Sequence, residues 1–252
     1  RQLTSYRHGP VLFAGDAAHI HPPMGGQGLN LGVQDAMNLG WKLAAQLRGD
    51  APAGLLDSYH AERHPVAARV LAVTRAQSVL MSPPPDADDV RALRDIMIDL
   101  ARLPDANRYL AGMMSGLDLR YETSTERSAG GASIDTADDH PLVGTRMVDL
   151  SLETVDGQAT VSALMRSGRG LLLELGAADA GEAADAVHPR VDRVVARVVD
   201  SPVGTAVGAD RVLVRPDGYV CWAGSGPAES PEPALRRWFG AAVPVSSSAA
   251  AR

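Results

Sequence analysis

"VLFAGDAAHIHPPMGGQGLNLGVQDAMNLGWKLA", Val11 to Ala44, joins two kinds of periodicity through a very unusual connection. Its apolar beginning, Pro10 to Gly15, is bounded by turn formers and reads as a buried parallel strand. From Gly28 the period changes. Val33, Ala36, Met37, Gly40, Trp41, Ala44 and Leu47 recur at helical steps. The spacing predicts a helix that packs this stripe, Met37 and Trp41 included, against the strand and ends at Gly49 and Pro52. Between strand and helix stand an Asp, two His, a Pro pair and the glycines 25, 26 and 28.

A strand, a Gly-rich turn and a helix start together make an anion site, because the first N–H groups of a helix are unpaired and its dipole is positive there. Gly25, Gly26 and Gly28 remove side chains that would hold a ligand off that backbone, and Pro22-Pro23 stiffens the approach. Asp16 lies just beyond the strand's C-terminal edge, where open α/β sheets contact their ligands. A carboxylate beside a phosphate is repulsive, so Asp16 reads as an acceptor for sugar or polyol hydroxyls. The expected ligand carries hydroxyls together with a delocalised or phosphate anion.

The whole chain, 252 residues and 45% hydrophobic, has room for one large or two modest domains. A net charge of -6 argues against a nucleic-acid or anionic-membrane partner, and no apolar run is long enough to span a bilayer. Cys221 is the single cysteine, which excludes an internal disulfide framework and CxxC chemistry. No signal-peptide pattern occurs, so a cytoplasmic protein is expected. The chain opens on Arg1 with no βα unit ahead of Val11 and reads as the later part of a longer protein.

Helical patterns run from Leu55 to Met81, with Pro65 expected to kink or restart the helix, and from Asp86 to Leu103, after the stop at Pro83-Pro84-Pro85. Residues 123–139, with "STERSAGGASIDTADD", have no period and read as a linker between a domain at 1–122 and another at 140–242. The second domain reads as a strand at Met147–Glu153, a helix at Ala159–Arg166, a buried strand at Gly170–Leu175 and an Ala-rich helix at Ala177–Ala186. A strand at Val191–Val199, a hairpin of Arg211–Arg215 with Tyr219–Trp222 across "PDG", and a helix at Glu232–Phe239 follow. That order is the order of a thioredoxin-like domain without redox cysteines, and 243–252 reads as a disordered tail.

The run "LFAGDAAHIHPPMGGQGLNLGVQDAMNLGWKLA" resembles the second FAD motif of class A flavoprotein aromatic hydroxylases, the para-hydroxybenzoate hydroxylase type. The match continues through "LLDSYHAERHPVAARVLAVTRAQ", "MSGLDLRYE" and "DDHPLVGTRMVDL", and there looks most like aromatic polyketide (angucycline and tetracycline) hydroxylases and rifampicin monooxygenases. The resemblance implies an α/β fold: the C-terminal part of an FAD-binding, Rossmann-like domain with long helices, followed by the thioredoxin-like domain. It implies that Gly15 and Asp16 approach the ribityl chain and pyrophosphate of FAD, and that Gly25 and Gly26 also bind the cofactor. Gly28, Leu29 and Asn30 would face the O2 edge of the isoalloxazine; Pro22, Pro23 and Met24 would line the boundary between flavin and substrate.

The implied activity is hydroxylation of an aromatic polyketide-type ring with FAD, NAD(P)H and O2; which ring, and NADH or NADPH, stays open. No catalytic side chain is assigned. The family's G-x-G-x-x-G turn has no counterpart at Gly25-Gly26-Gln27-Gly28, Gly168/Gly170 or Gly224/Gly226. The resemblance therefore implies an N-terminal FAD-binding half, in the same polypeptide or a separate chain, without which FAD would bind poorly. A homodimer stays open.

Two other readings stand beside this one: a non-catalytic assembly or dimerisation module with a vestigial flavin site, and a metal hydrolase using the histidine pairs. Against metal, Pro22-Pro23 and the glycines beside His19 and His21 serve no ligand geometry. "HAERH" puts Glu62 in the wrong place between His60 and His64 for a zinc helix. His19 reads as a structural hydrogen bonder, Glu62 and Arg63 as pairing to neighbours, and Cys221 as a small buried hydrophobe.

Overall fold

The computed structural model describes residues 1–23, 26–81, 88–122, 140–175, 188–201, 207–226 and 229–241. They form two units, one of Arg1–Ala44 with Leu56–Tyr121, the other of Ala45–Leu55 with Glu122–Arg252. The expected linker at 123–139, the stop at 83–85, the Ala-rich helix at 177–186 and the tail at 243–252 lie outside the described residues, as do Met24 and Gly25.

In the first unit Gly9, at φ +59°, reverses the chain between strands β1 (Arg7–His8) and β2 (Val11–Leu12), which pair antiparallel, Arg7 with Leu12 and His8 with Val11. The buried parallel strand expected over Pro10 to Gly15 is not there. Val11 is 51% exposed, and β1 is the one strand beside β2 among the described residues. A parallel strand needs strand neighbours and helices on both faces, and the apolar run meets neither here.

Four helices follow: α1 (Gln27–Arg48), α2 (Ser58–Met81), α3 (Asp88–Ala101) and α4 (Pro104–Ser115). Pro65 neither ends nor restarts α2, which runs through it as one helix. The expectation for α1 fails in an informative way. Val33 and Met37 are more than half exposed, whereas Leu31, Asp35, Asn38 and Lys42 are buried. These residues are spaced at i, i+4, i+7 and i+11, a helical stripe on a different side from the apolar one. Trp41 is half-buried. The inversion has an electrostatic reason. Lys42 Nζ donates to Glu62 Oε2 (2.7 Å) and to Asn38 Oδ1 (2.8 Å), and Asn38 Nδ2 donates to Glu62 Oε2 (2.6 Å). Charges can be buried where each finds its partner. A small apolar core of Tyr6, Ala18, Leu31, Tyr59 and Ala67 lies in the same unit.

The second unit is a six-stranded sheet in the order β4-β3-β6-β5-β7-β8. Its strands are β3 (Ser151–Thr154), β4 (Gly157–Thr160), β5 (Gly170–Leu175), β6 (Val191–Asp200), β7 (Arg211–Val214) and β8 (Val220–Gly224). β5 and β6 are parallel; every other neighbouring pair is antiparallel. The series β6-β5-β7-β8, closed by α6 (Glu232–Phe239), has the arrangement of a thioredoxin-like core. The strand expected from Met147 begins at Ser151. The helix expected at Ala159–Arg166 is a strand end, a short helix α5 (Val161–Leu164) and a 3₁₀ turn. Thr160 makes that break: its Oγ1 accepts from Ala163 N and caps α5.

Leu150, Leu152, Leu171, Leu173, Val212 and Val214 form the centre of the sheet core. Gly170 is required by packing. A β-carbon there would fall 2.5 Å from the Phe239 ring, so only glycine lets α6 close on β5. After β7 the buried Arg215 grips Asp217 with two hydrogen bonds (3.0 and 2.6 Å) and lies 4.3 Å over the Trp238 ring. Cys221 is buried on β8, as expected.

Candidate functional site

The site begins where β2 gives out. Tyr59 hydroxyl donates to Phe13 O (2.8 Å) and Ala14 is extended. Gly15 then takes φ +57°, and a 3₁₀ turn (Gly15–Ala17) follows, with Ala18 N and His19 N both donating to Gly15 O. A β-carbon on Gly15 would come to 3.7 Å from Gly32 Cα, so this turn lies directly against the second turn of α1. Asp16 is exposed at its tip.

Below the turn the chain dives inward. His19 is 3% exposed, and its Nε2 donates to Asp35 Oδ2 at 2.6 Å. The same carboxylate accepts from Gly15 N (3.0 Å) through Oδ2 and from Arg63 Nε (2.7 Å) through Oδ1. Arg63, fully buried, also donates to Tyr121 hydroxyl (3.1 Å) and Leu31 O (3.3 Å). Burial raises the Asp35 carboxyl, but His19, Arg63 and the Gly15 N–H outweigh it and hold the group below its ordinary value. Burial also pushes the Tyr6 phenol, beside His19, up to about 12.

Beyond His21, whose Nδ1 lies 2.8 Å from Pro22 O, Pro22 and Pro23 are exposed. His21 Nε2 is buried without a partner, and its ring stands 3.6 Å from where a β-carbon of Gly28 would be. Gly26 takes φ +66° with open space on its side-chain face. The first turn of α1 carries no acidic residue; Leu29 is 80% exposed and Asn30 is exposed. Gln27 Nε2 donates to Met114 O (2.8 Å), tying that turn to the end of α4.

The sequence-expected residues thus fall into two groups, Gly15 and Asp16 on the 3₁₀ turn and Gly26, Gly28, Leu29 and Asn30 at the helix start. Gly15 and Gly32 bring the turn and α1 together. Pro22 and Pro23 lie on the exposed link, while Met24 and Gly25 lie outside the described residues. Sequence reasoning missed Asp35 and Tyr121 altogether. It paired Arg63 without seeing that the pair is buried. The available signal was reciprocal: Asp35 and Lys42 on one helix, Glu62 and Arg63 on the next.

The described residues fit one edge of a flavin. An exposed helix start free of carboxylates offers N–H groups to developing negative charge, and the glycine pair lets a polar turn stand beside it. Comparison with known proteins points to the same cofactor. Residues 1–74 match the model of the FAD binding domain, and residues 140–242 match that of the aromatic-ring hydroxylase C-terminal domain. The chain is 49% identical over 244 residues to the 12-dehydrotetracycline 5-monooxygenase/anhydrotetracycline 6-monooxygenase of Streptomyces rimosus, covering 95% of this chain and 45% of that protein. It is 46% identical over 247 residues to a rifampicin monooxygenase of Streptomyces venezuelae, covering 96% and 45%. The structure of the anhydrotetracycline hydroxylase from Streptomyces rimosus superposes with a TM-score of 0.83 at 48% identity, covering 96% of this chain and 47% of that one. The chain therefore spans about half the length of the curated relatives it matches. With residues 1–74 matching the FAD binding domain and residues 140–242 the aromatic-ring hydroxylase C-terminal domain, the chain is similar along nearly its whole length to monooxygenases of the aromatic-ring hydroxylase kind.

Proposed function

We propose that this chain supplies the isoalloxazine side of a monooxygenase that hydroxylates an aromatic polyketide-type substrate with FAD, NAD(P)H and O2. The observation that carries the reading is the meeting of the Gly15–Ala17 turn with the acid-free start of α1, through Gly15 and Gly32. In this reading Gly15, Asp16, Pro22, Gly25, Gly26, Gly28, Leu29 and Asn30 bind the flavin, and Pro23 and Met24 border the substrate. When bound, FAD supplies the redox chemistry with oxygen. The chain's own residues do the rest. Asp16 accepts hydrogen bonds from hydroxyls, and the N–H groups of Gly28, Leu29 and Asn30 favour negative charge at the pyrimidine edge.

The ADP side is supplied by a preceding FAD-binding half, in the same polypeptide or another. The exposed stripe of Leu29, Val33 and Met37 on α1 supports this, since such a stripe is suited to being covered. Residues 1–122 are then the second part of the flavin domain, 123–139 its linker and 140–242 the thioredoxin-like domain. A single buried thiol suits a reducing cytoplasm, and no described helix is long and apolar enough to cross a membrane.

The test joins the chain to its preceding half and adds FAD. A retained flavin spectrum, and NAD(P)H oxidation accelerated by a polycyclic phenol, are expected. Protein that stays colourless would overturn the reading.

A further inference from the structure

We propose that Asp35 is a positioning residue for the flavin-facing turn: its buried carboxylate, clamped by Arg63 and His19, fixes the backbone of Gly15 and with it the stance of Asp16. The inference rests on the functional reading above and deepens it.

Asp35 is fully buried, nine residues into the quoted helix, and accepts three bonds: from Gly15 N at 3.0 Å, His19 Nε2 at 2.6 Å and Arg63 Nε at 2.7 Å. Holding α1 to α2 does not demand this cluster. The pair of helices already has a second, separate ionic cluster in Asn38, Lys42 and Glu62. Asp35 in addition reaches out of the helix pair to a loop backbone, at Gly15 N. Gly15 sits in the left-handed region, its carbonyl is committed to Ala18 N and His19 N, and its N–H is committed to Asp35. Both polar ends of the residue are therefore fixed, and the direction in which Asp16 leaves the turn follows from them. His19 braces the same oxygen from the far side of the turn, so the carboxylate cannot swing away without breaking two bonds. Arg63 holds the other oxygen and is itself held by Tyr121 and Leu31. A site residue gains precision from supports of this kind, because its geometry is set before the ligand arrives.

Asp35→Asn keeps the size but turns one end of the group into a donor, so it cannot accept from both Gly15 and Arg63. The control is Glu62→Gln, which weakens the other buried cluster, the one with Asn38 and Lys42. Two readouts are taken: amide hydrogen exchange at Gly15, and the FAD dissociation constant of the chain joined to its preceding half. Asp35→Asn is expected to speed Gly15 exchange and weaken FAD binding at least tenfold each, while Glu62→Gln lowers thermal stability and leaves both unchanged. Wild-type protein that binds FAD alongside an Asp35→Asn variant that binds it equally well overturns this proposal alone. Wild-type protein that takes up no flavin overturns the functional reading, and this proposal with it. If Asp35→Asn does not fold, wild-type protein answers the same question. The Gly15 amide resonance must then follow the Asp35 carboxyl as it titrates, and a Gly15 signal indifferent to that titration overturns the proposal.

Discussion

Gly15 and Gly32 touch backbone to backbone: a β-carbon on Gly32 would lie 3.5 Å from Gly15 Cα, and one on Gly15 3.7 Å from Gly32 Cα. Both distances are ordinary contacts, so the two glycines do not serve the same purpose. Gly15 has φ +57°, a conformation that costs an L-residue about 1–2 kcal/mol, whereas Gly32 lies within helix α1. Gly15→Ala is therefore expected to destabilise the chain by about 1–2 kcal/mol. Gly32→Ala should be neutral or slightly stabilising, since alanine is the better helix former by up to about 1 kcal/mol. Gly32→Leu, which would press on the turn, should cost more than either. Urea unfolding of the three variants decides, and equal losses for Gly15→Ala and Gly32→Ala would contradict this account.

The cluster of Lys42, Asn38 and Glu62 should respond asymmetrically to substitution. Removing Glu62 alone, as Glu62→Leu, takes a carboxylate partner from the buried Lys42 ammonium and is expected to cost about 3–5 kcal/mol. Replacing all three residues together by Leu or Met should recover most of that loss. Denaturant midpoints at constant slope are the measurement.

Acid sensitivity should centre on Asp35. Because its folded value is depressed, the stability it contributes is complete above the unfolded carboxyl value near 4 and is lost as pH falls through the folded value. Wild-type protein is expected to lose stability below about pH 4 more steeply than Asp35→Asn does. Parallel slopes in that window, read from unfolding titrations at each pH, would remove Asp35 from the explanation.

Cys221 should be chemically quiet. Burial pushes its thiol up to about 12, and its Sγ lies 3.5 Å from Leu213 O. Thiolate is the reactive form, so a disulfide reagent at pH 8 should label native protein far more slowly than urea-unfolded protein. Comparable rates in the two states would show that β8 opens readily.

Val33→Lys and Met37→Lys place charge on the exposed side of α1. Since both side chains are already more than half exposed, each is expected to change the chain's own stability by less than about 0.5 kcal/mol. Flavin retention after joining to the preceding half should nevertheless fall. Retention at the wild-type level would mean that another surface meets that half.

Elements built from one dominant signal were legible in the sequence. β5, a run of "GLLLEL" between glycine and a composition change, and α6, opened by prolines and closed by Gly240, occur at their expected bounds. β4 is absent from the sequence reading although Asp156-Gly157 is a hairpin signal, because its last residues, Ala159 and Thr160, are read as the start of the helix over Ala159–Arg166. The sequence reading ends its helix at Leu103 and assigns no element to α4, although Pro104 at its start and Gly116, at φ +70°, at its end mark a separate helix. The site's glycines and Asp16 were legible as a motif. Asp35 was not, because assigning a buried face by apolarity alone turns α1 the wrong way round. Only the pairing of its charges with α2 reveals the face that is inside.

The ionic joint between α1 and α2 also fixes how the two rods can mesh. An oily joint tolerates sliding, since one methyl group replaces another at little expense. Sliding α2 by a turn along α1 would instead strand Glu62 away from Lys42 and Arg63 away from Asp35, each an uncompensated charge worth several kcal/mol. We therefore expect the all-apolar triple replacement to keep its strength but lose its singularity, visible as line-broadened NMR signals along both helices where the native chain gives sharp ones.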